Sequence, residues 1–102
     1  MSSETTGAVR TQSYRVAING DERDCVLRPG RRLGEAARQL DLPAGCDVAA
    51  ISAARLWIER PEGYVALAGA DGRVLIEFGA SDGAALESFR PAEPMVTLTA
   101  ER

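Results

Sequence analysis

A chain of 102 residues with 12 arginines, 15 carboxylates, no lysine and no histidine, for a net charge of −3, is sized for one hydrophobic core and lacks the commonest general base and both usual nitrogen nucleophiles. The arginines are scattered rather than gathered into a stripe, so the concentrated positive charge that displaces counterions from nucleic acid is missing. With 45% hydrophobic residues and only one Trp, two Tyr and two Phe, the core must come mainly from Val, Leu, Ile and Ala.

Residues Met1 to Gln12 are polar and contain no apolar run, which predicts a flexible tail over 1–12 rather than a secretory signal or a membrane anchor. A single domain is expected over 13–102. Tyr14, Val16 and Ile18 alternate with polar or small neighbours, the period of a half-buried strand, and Asn19-Gly20 supplies the residues of a tight hairpin. The return strand, Asp24 to Arg28, places Cys25 and Leu27 on one face and is expected to stop at Pro29-Gly30. From Leu33 to Leu40 the apolar positions Leu33, Ala36, Ala37 and Leu40 fall at helical spacing, which predicts a compact helix closed by Leu42-Pro43.

Asp47 to Arg60 opens with the run Ala49 to Ala54, read as a loop or a short helical turn, and continues as a strand through Arg55-Leu56-Trp57-Ile58-Glu59. Pro61-Glu62-Gly63 is a turn, Tyr64 to Ala68 a strand, Gly69 to Gly72 a hairpin loop, and Arg73 to Phe78 a strand with Val74, Ile76 and Phe78 on one side. Gly79 to Ala92 reads as a loop. Met95 to Ala100 alternates again, offering Val96 and Leu98 to a core.

Among chemically notable residues, Cys25 reads as a small core hydrophobe and Cys46 as a loop thiol with no histidine to activate it. Two cysteines without an export signal imply a reduced, cytoplasmic protein. Ser13, Ser52 and Ser81 have no histidine to pair with, and Asp21, Glu22 and Asp24 lack the spacing of a calcium loop. Neither a catalytic residue nor a metal or other cofactor is therefore expected. Trp57 runs out of phase with Leu56 and Ile58. It either packs under the segment Gly79 to Ala92 or faces outward as part of a docking surface with Arg55 and Tyr64. With the C-terminal Arg102, these make Arg55, Trp57, Tyr64 and Arg102 the candidate partner-binding residues.

Two resemblances extend this reading. The run Pro29 to Ala37, followed by Leu42-Pro43-Ala44-Gly45-Cys46, resembles the segment of plant-type [2Fe–2S] ferredoxins that leads into the cluster loop. On that pattern the first ligand position is Cys46, the second falls on Ile51 and the third on Ala54, and no cysteine follows downstream, so no cluster is expected. The hairpin Tyr14 to Leu27, the helix entry at Gly30 to Leu40 and the segment Leu86 to Pro91 resemble bacterial ubiquitin-like proteins of the multiubiquitin type, although the chain ends Leu98-Thr99-Ala100-Glu101-Arg102 rather than in diglycine.

Both resemblances imply an α+β β-grasp fold, a mixed four- or five-stranded sheet packed on one main helix. The function they imply is a non-catalytic, cytoplasmic, ubiquitin-like protein that binds a protein partner, not nucleic acid or membrane, and that can pair with a second copy through the edge of its final strand. One alternative is a cluster-free ferredoxin-like accessory subunit of a redox complex. A second is a thiol-dependent activity at Cys46.

Overall fold

In the computed structural model, residues 12–41, 49–81, 85–91 and 93–101 are described. Eight strands, each hydrogen-bonded to its sequence neighbour and the last to the first, form a closed antiparallel barrel. They are β1 (Ser13–Ile18), β2 (Asp21–Arg32), β3 (Ala37–Asp41), β4 (Leu56–Glu59), β5 (Val65–Ala68), β6 (Val74–Ala80), β7 (Ala85–Arg90) and β8 (Val96–Glu101). A single helical turn, α1 (Ala49–Ser52), lies between β3 and β4, and a 3-10 turn spans Pro61–Gly63.

The alternation along each strand explains the closure. Val16 and Ile18 of β1, Leu27 of β2, Leu67 of β5, Ile76 and Phe78 of β6, and Val96 and Leu98 of β8 are all buried. They converge in one cluster that also takes in Trp57 and Leu40. An eight-stranded barrel is narrow enough for side chains to fill it. Ile51 and Ala54 are fully buried beside it, and α1 lies against β6. Charged residues such as Glu22, Asp24 and Arg28 of β2 and Glu87 of β7 are exposed. This is the reverse of the apolar outer band of a membrane-spanning barrel. No helix among the described residues is long and apolar enough to cross a membrane.

Local chemistry fixes the joints. Asn19 and Gly20 take the left-handed conformation (φ 51° and 88°) that the β1–β2 hairpin requires. The Asn19 backbone N–H donates to the Met95 carbonyl at 2.8 Å, and the Met95 N–H donates to Asn19 Oδ1 at 3.0 Å, so the hairpin is clamped to the start of β8. Ser88 is the one buried polar residue among those described, and its Oγ accepts the Val96 N–H at 2.9 Å across the β7–β8 seam.

The β-grasp expectation is overturned, and with it the ubiquitin-like and ferredoxin-like resemblances, because no main helix packs on an open sheet. The segment read as that helix is a bend followed by β3, whose Ala37 pairs with Ile58 of β4 and whose Leu40 pairs with Pro29 of β2. Of the four stripe residues only Leu40 is buried, and Leu33 is 49% exposed. Two of the four are alanines, which offer a helix little apolar area to bury, and Gly34 further weakens it. The chain instead turns through Gly34 and Glu35, whose carbonyls accept from the Arg32 guanidinium, and the Leu33 N–H donates to the Ala37 carbonyl at 2.8 Å.

Pro29 does not end β2. The register advances three residues on β2 for two on β3 between Pro29 and Arg32, and a proline is tolerated at such a bulge. The segment read as a loop over 79–92 contains the end of β6 and all of β7, which joins β6 to β8. With β8 paired to both β1 and β7, the final strand has no open edge for strand-to-strand association. Cys25 is 2% exposed, as a core residue should be, but it is disulfide-bonded, not a free thiol. Cys46, the other cysteine, lies outside the described residues, as do residues 1–11 of the expected tail and Arg102.

Candidate functional site

The described partner-binding candidates, Arg55, Trp57 and Tyr64, do not assemble into one surface, and Arg102 lies outside the described residues. Arg55 is exposed, and its guanidinium donates to the Ser52 carbonyl at 2.7 Å and the Ala54 carbonyl at 2.8 Å, holding the C-terminal end of α1. Trp57 points into the barrel, 3% exposed, and its ring stacks on Tyr14 with centroids 5.0 Å apart. It packs against the β1 side of the barrel, not under the segment 79–92. Tyr64, like Arg55, stays at the surface, 44% exposed.

Tyr64 leads to a groove on the outer wall. It precedes β5, so when Val65 turns inward Tyr64 turns outward. Its ring meets Phe89 of β7 edge to face at 5.7 Å. Phe89 is outward because it alternates with the inward Ser88. Glu77 pairs with Arg90 while Phe78 pairs with Ser88, so β7 carries one extra residue there, and Arg90 is exposed beside Phe89. A Cβ on Gly79 would lie 3.2 Å from Tyr64 Cε1, so the bare backbone of β6 is what lets the Tyr64 ring settle against the wall.

Between these rings and the 3-10 turn lies an open groove of about 440 Å³. Val65 and Phe78 border it while their side chains turn into the barrel core, and Pro61 of the turn contributes an apolar side. Glu62 lies in that turn with φ 65° and ψ 24°, a left-handed conformation uncommon outside glycine. The charged lining is Arg60, Glu62 and Glu77. Glu77 is mostly covered and sits between two guanidiniums, Arg60 at 3.9 Å and Arg90 at 3.5 Å. The Arg90 guanidinium also lies over the Phe89 ring, 5.8 Å from its centroid.

Sequence reasoning missed Phe89, Arg90, Glu77, Arg60 and Pro61 as site residues. Phe89 carries the clearest signal, a large aromatic in a stretch otherwise read as a loop. The Arg60–Glu77–Arg90 cluster depends on the register of β6 with β7 and on the residue that follows β4. No group of three or more Asp, Glu, Cys or His among the described residues is placed to hold a metal ion. Cys46, the residue of the proposed thiol activity, lies outside the described residues. Compared with known protein families and with curated proteins, the chain matches none.

Proposed function

We propose that this protein is a non-enzymatic binding module that docks a protein partner through the groove between the Pro61–Gly63 turn and the β7 bulge. The observation that carries the reading is the pairing of Tyr64 and Phe89, two of the four large hydrophobic residues left exposed among those described, over a groove with arginines beside it. Exposed aromatic rings with arginine beside them are the composition of interface hot spots. The absence of histidine and lysine from the whole chain supports the non-enzymatic half of the reading.

Site-specific photocrosslinking in the protein's host tests it. A photoreactive phenylalanine placed at Phe89 or Tyr64 should give a discrete protein adduct. The same probe at Leu33 or Val74, the other two exposed hydrophobics, should not. Equal adducts from all four positions, or none from the groove, would reject the proposal.

A further inference from the structure

We infer that the groove takes a basic side chain of the partner protein, its cationic head at Glu62 and its aliphatic stem across Tyr64 and Phe89. This assignment rests on the groove being the docking surface and adds the chemistry of what docks there.

The balance of charge in the lining carries it. One arginine stands there against two glutamates, Arg60 against Glu62 and Glu77. Glu77 already has its cations: Arg60 at 3.9 Å from one carboxylate oxygen and Arg90, beside the groove, at 3.5 Å from the other. Glu59 and Glu101 likewise meet arginines elsewhere on the barrel. Glu62 is exposed, and among the described residues no hydrogen bond or ion pair engages its carboxylate. The lining therefore keeps one negative charge in excess, on the carboxylate that no protein cation meets. Glu22 and Asp24 of β2 are exposed and unpaired too, but they line no part of this groove.

The backbone sharpens the position of that carboxylate. At φ 65° residue 62 holds a conformation that glycine adopts freely and that strains any side chain with a Cβ. The turn alone would be served by glycine, yet it carries a glutamate two residues from the Tyr64 ring. Residues held in such conformations cluster at ligand clamps.

The rings supply the other half of the match. An aromatic face is electron-rich and attracts a cation, and Phe89 already shows the contact, with the Arg90 guanidinium 5.8 Å from its centroid. A lysine or arginine stem can lie on the apolar surface of Tyr64, Phe89 and Pro61 while its head reaches the carboxylate. The net charge of −3 on the whole chain adds a weak pull on a basic partner.

The experiment is an NMR titration of the 15N-labelled protein with the acetylated tripeptide amide Ala-Lys-Ala, beside Ala-norleucine-Ala, which keeps the four-carbon stem without the charge. At low salt the lysine peptide should move the Gly63 and Phe89 amides and bind about three- to tenfold tighter than the norleucine peptide. The gap should narrow in about 0.5 M NaCl, which screens exposed charges. Glu62→Gln should remove most of the lysine preference and leave norleucine binding unchanged. Glu22→Gln, which lowers the net negative charge by the same amount outside the groove, should leave the preference in place.

Equal binding of the lysine and norleucine peptides would overturn the cation assignment and leave the docking surface standing. A preference that survived Glu62→Gln, or fell equally in Glu22→Gln, would reduce it to the general charge of the chain and overturn the inference. So would an Ala-Glu-Ala peptide that bound more tightly than the norleucine peptide, since the groove would then favour an anion. Shifts at the groove that grow with protein concentration alone would assign it to a second copy of this chain and reject the inference. Binding of none of the peptides would also reject it, while the crosslinking comparison still judges the docking surface independently.

Discussion

Two aromatic pairs sit in this small barrel under opposite conditions. Tyr14 and Trp57 stack inside at 5.0 Å with an interplanar angle of 30°, the indole almost wholly removed from water. Tyr64 and Phe89 meet edge to face at 5.7 Å on the outer wall, each close to half exposed. The ring–ring attraction is similar in the two, about 0.5–1.5 kcal/mol beyond area burial. What separates them is the water displaced. Trp57 has already released its hydration to folding and Tyr14 part of its own, whereas the outer pair still holds more apolar surface in water. One pair is therefore a stability element, and the other is the docking element proposed above.

That contrast can be broken by substitution. Trp57→Ala should cost about 3–5 kcal/mol in urea unfolding, since it opens a cavity where Tyr14, Leu67 and Arg38 meet in register or stack on the indole. Ser88→Ala comes next, at about 1–3 kcal/mol, because it leaves the Val96 N–H without its acceptor at a buried seam. Phe89→Ala should fall to about 1 kcal/mol or less, the ring being half in water already. A Phe89 variant as destabilised as the Trp57 variant would erase the distinction drawn between the two pairs. Gly79→Ala sharpens it further: the added methyl meets the Tyr64 ring at 3.2 Å, so the outer pair should shift, read as a change in the Phe89 amide resonance, with the near-ultraviolet circular dichroism of Trp57 unchanged.

The same contrast shows what was legible in the sequence. Period-two alternation located β1, β4, β6 and β8, flanking turns located β5, and Asn19-Gly20 located the first hairpin, although in β4 it is Trp57 and not Leu56 and Ile58 that is buried. It failed where the buried face is thin. In β3 only Leu40 turns a large apolar side chain into the core, so a helical spacing built largely on alanine outweighed it. In β7 Leu86 is only partly buried, the buried position is Ser88, and the largest apolar side chain, Phe89, faces outward, so the inner face carries little apolar signal. Once β3 was taken as a helix and β7 as a loop, an open sheet gripping a rod followed, and closure was invisible. The site suffered likewise: Tyr64 was identifiable as an aromatic beside a turn, but its partner lies on the strand that was read as a loop.

The smallest expected effect concerns the inner pair at high pH. The Tyr14 hydroxyl is held above the ordinary tyrosine value, first by burial, which disfavours the phenolate, and second by the Glu59 carboxylate. The folded protein therefore binds this proton more tightly than the unfolded chain, in which a tyrosine ionises near pH ~10. Below that pH both states keep the proton and Tyr14 adds no slope. As pH rises past it, the unfolded chain loses the proton first, so stability falls until the folded-state value is passed. Tyr14→Phe should remove this decline, so the difference between wild-type and variant melting temperatures should be flat below about pH 10 and bend downward for the wild type above it. Tyr64 is present in both proteins and cancels. Added salt should shrink only the share owed to Glu59, because burial is not screened. Parallel melting curves for the two proteins through the alkaline range would show that the Tyr14 hydroxyl is not enclosed with Trp57 as the barrel places it.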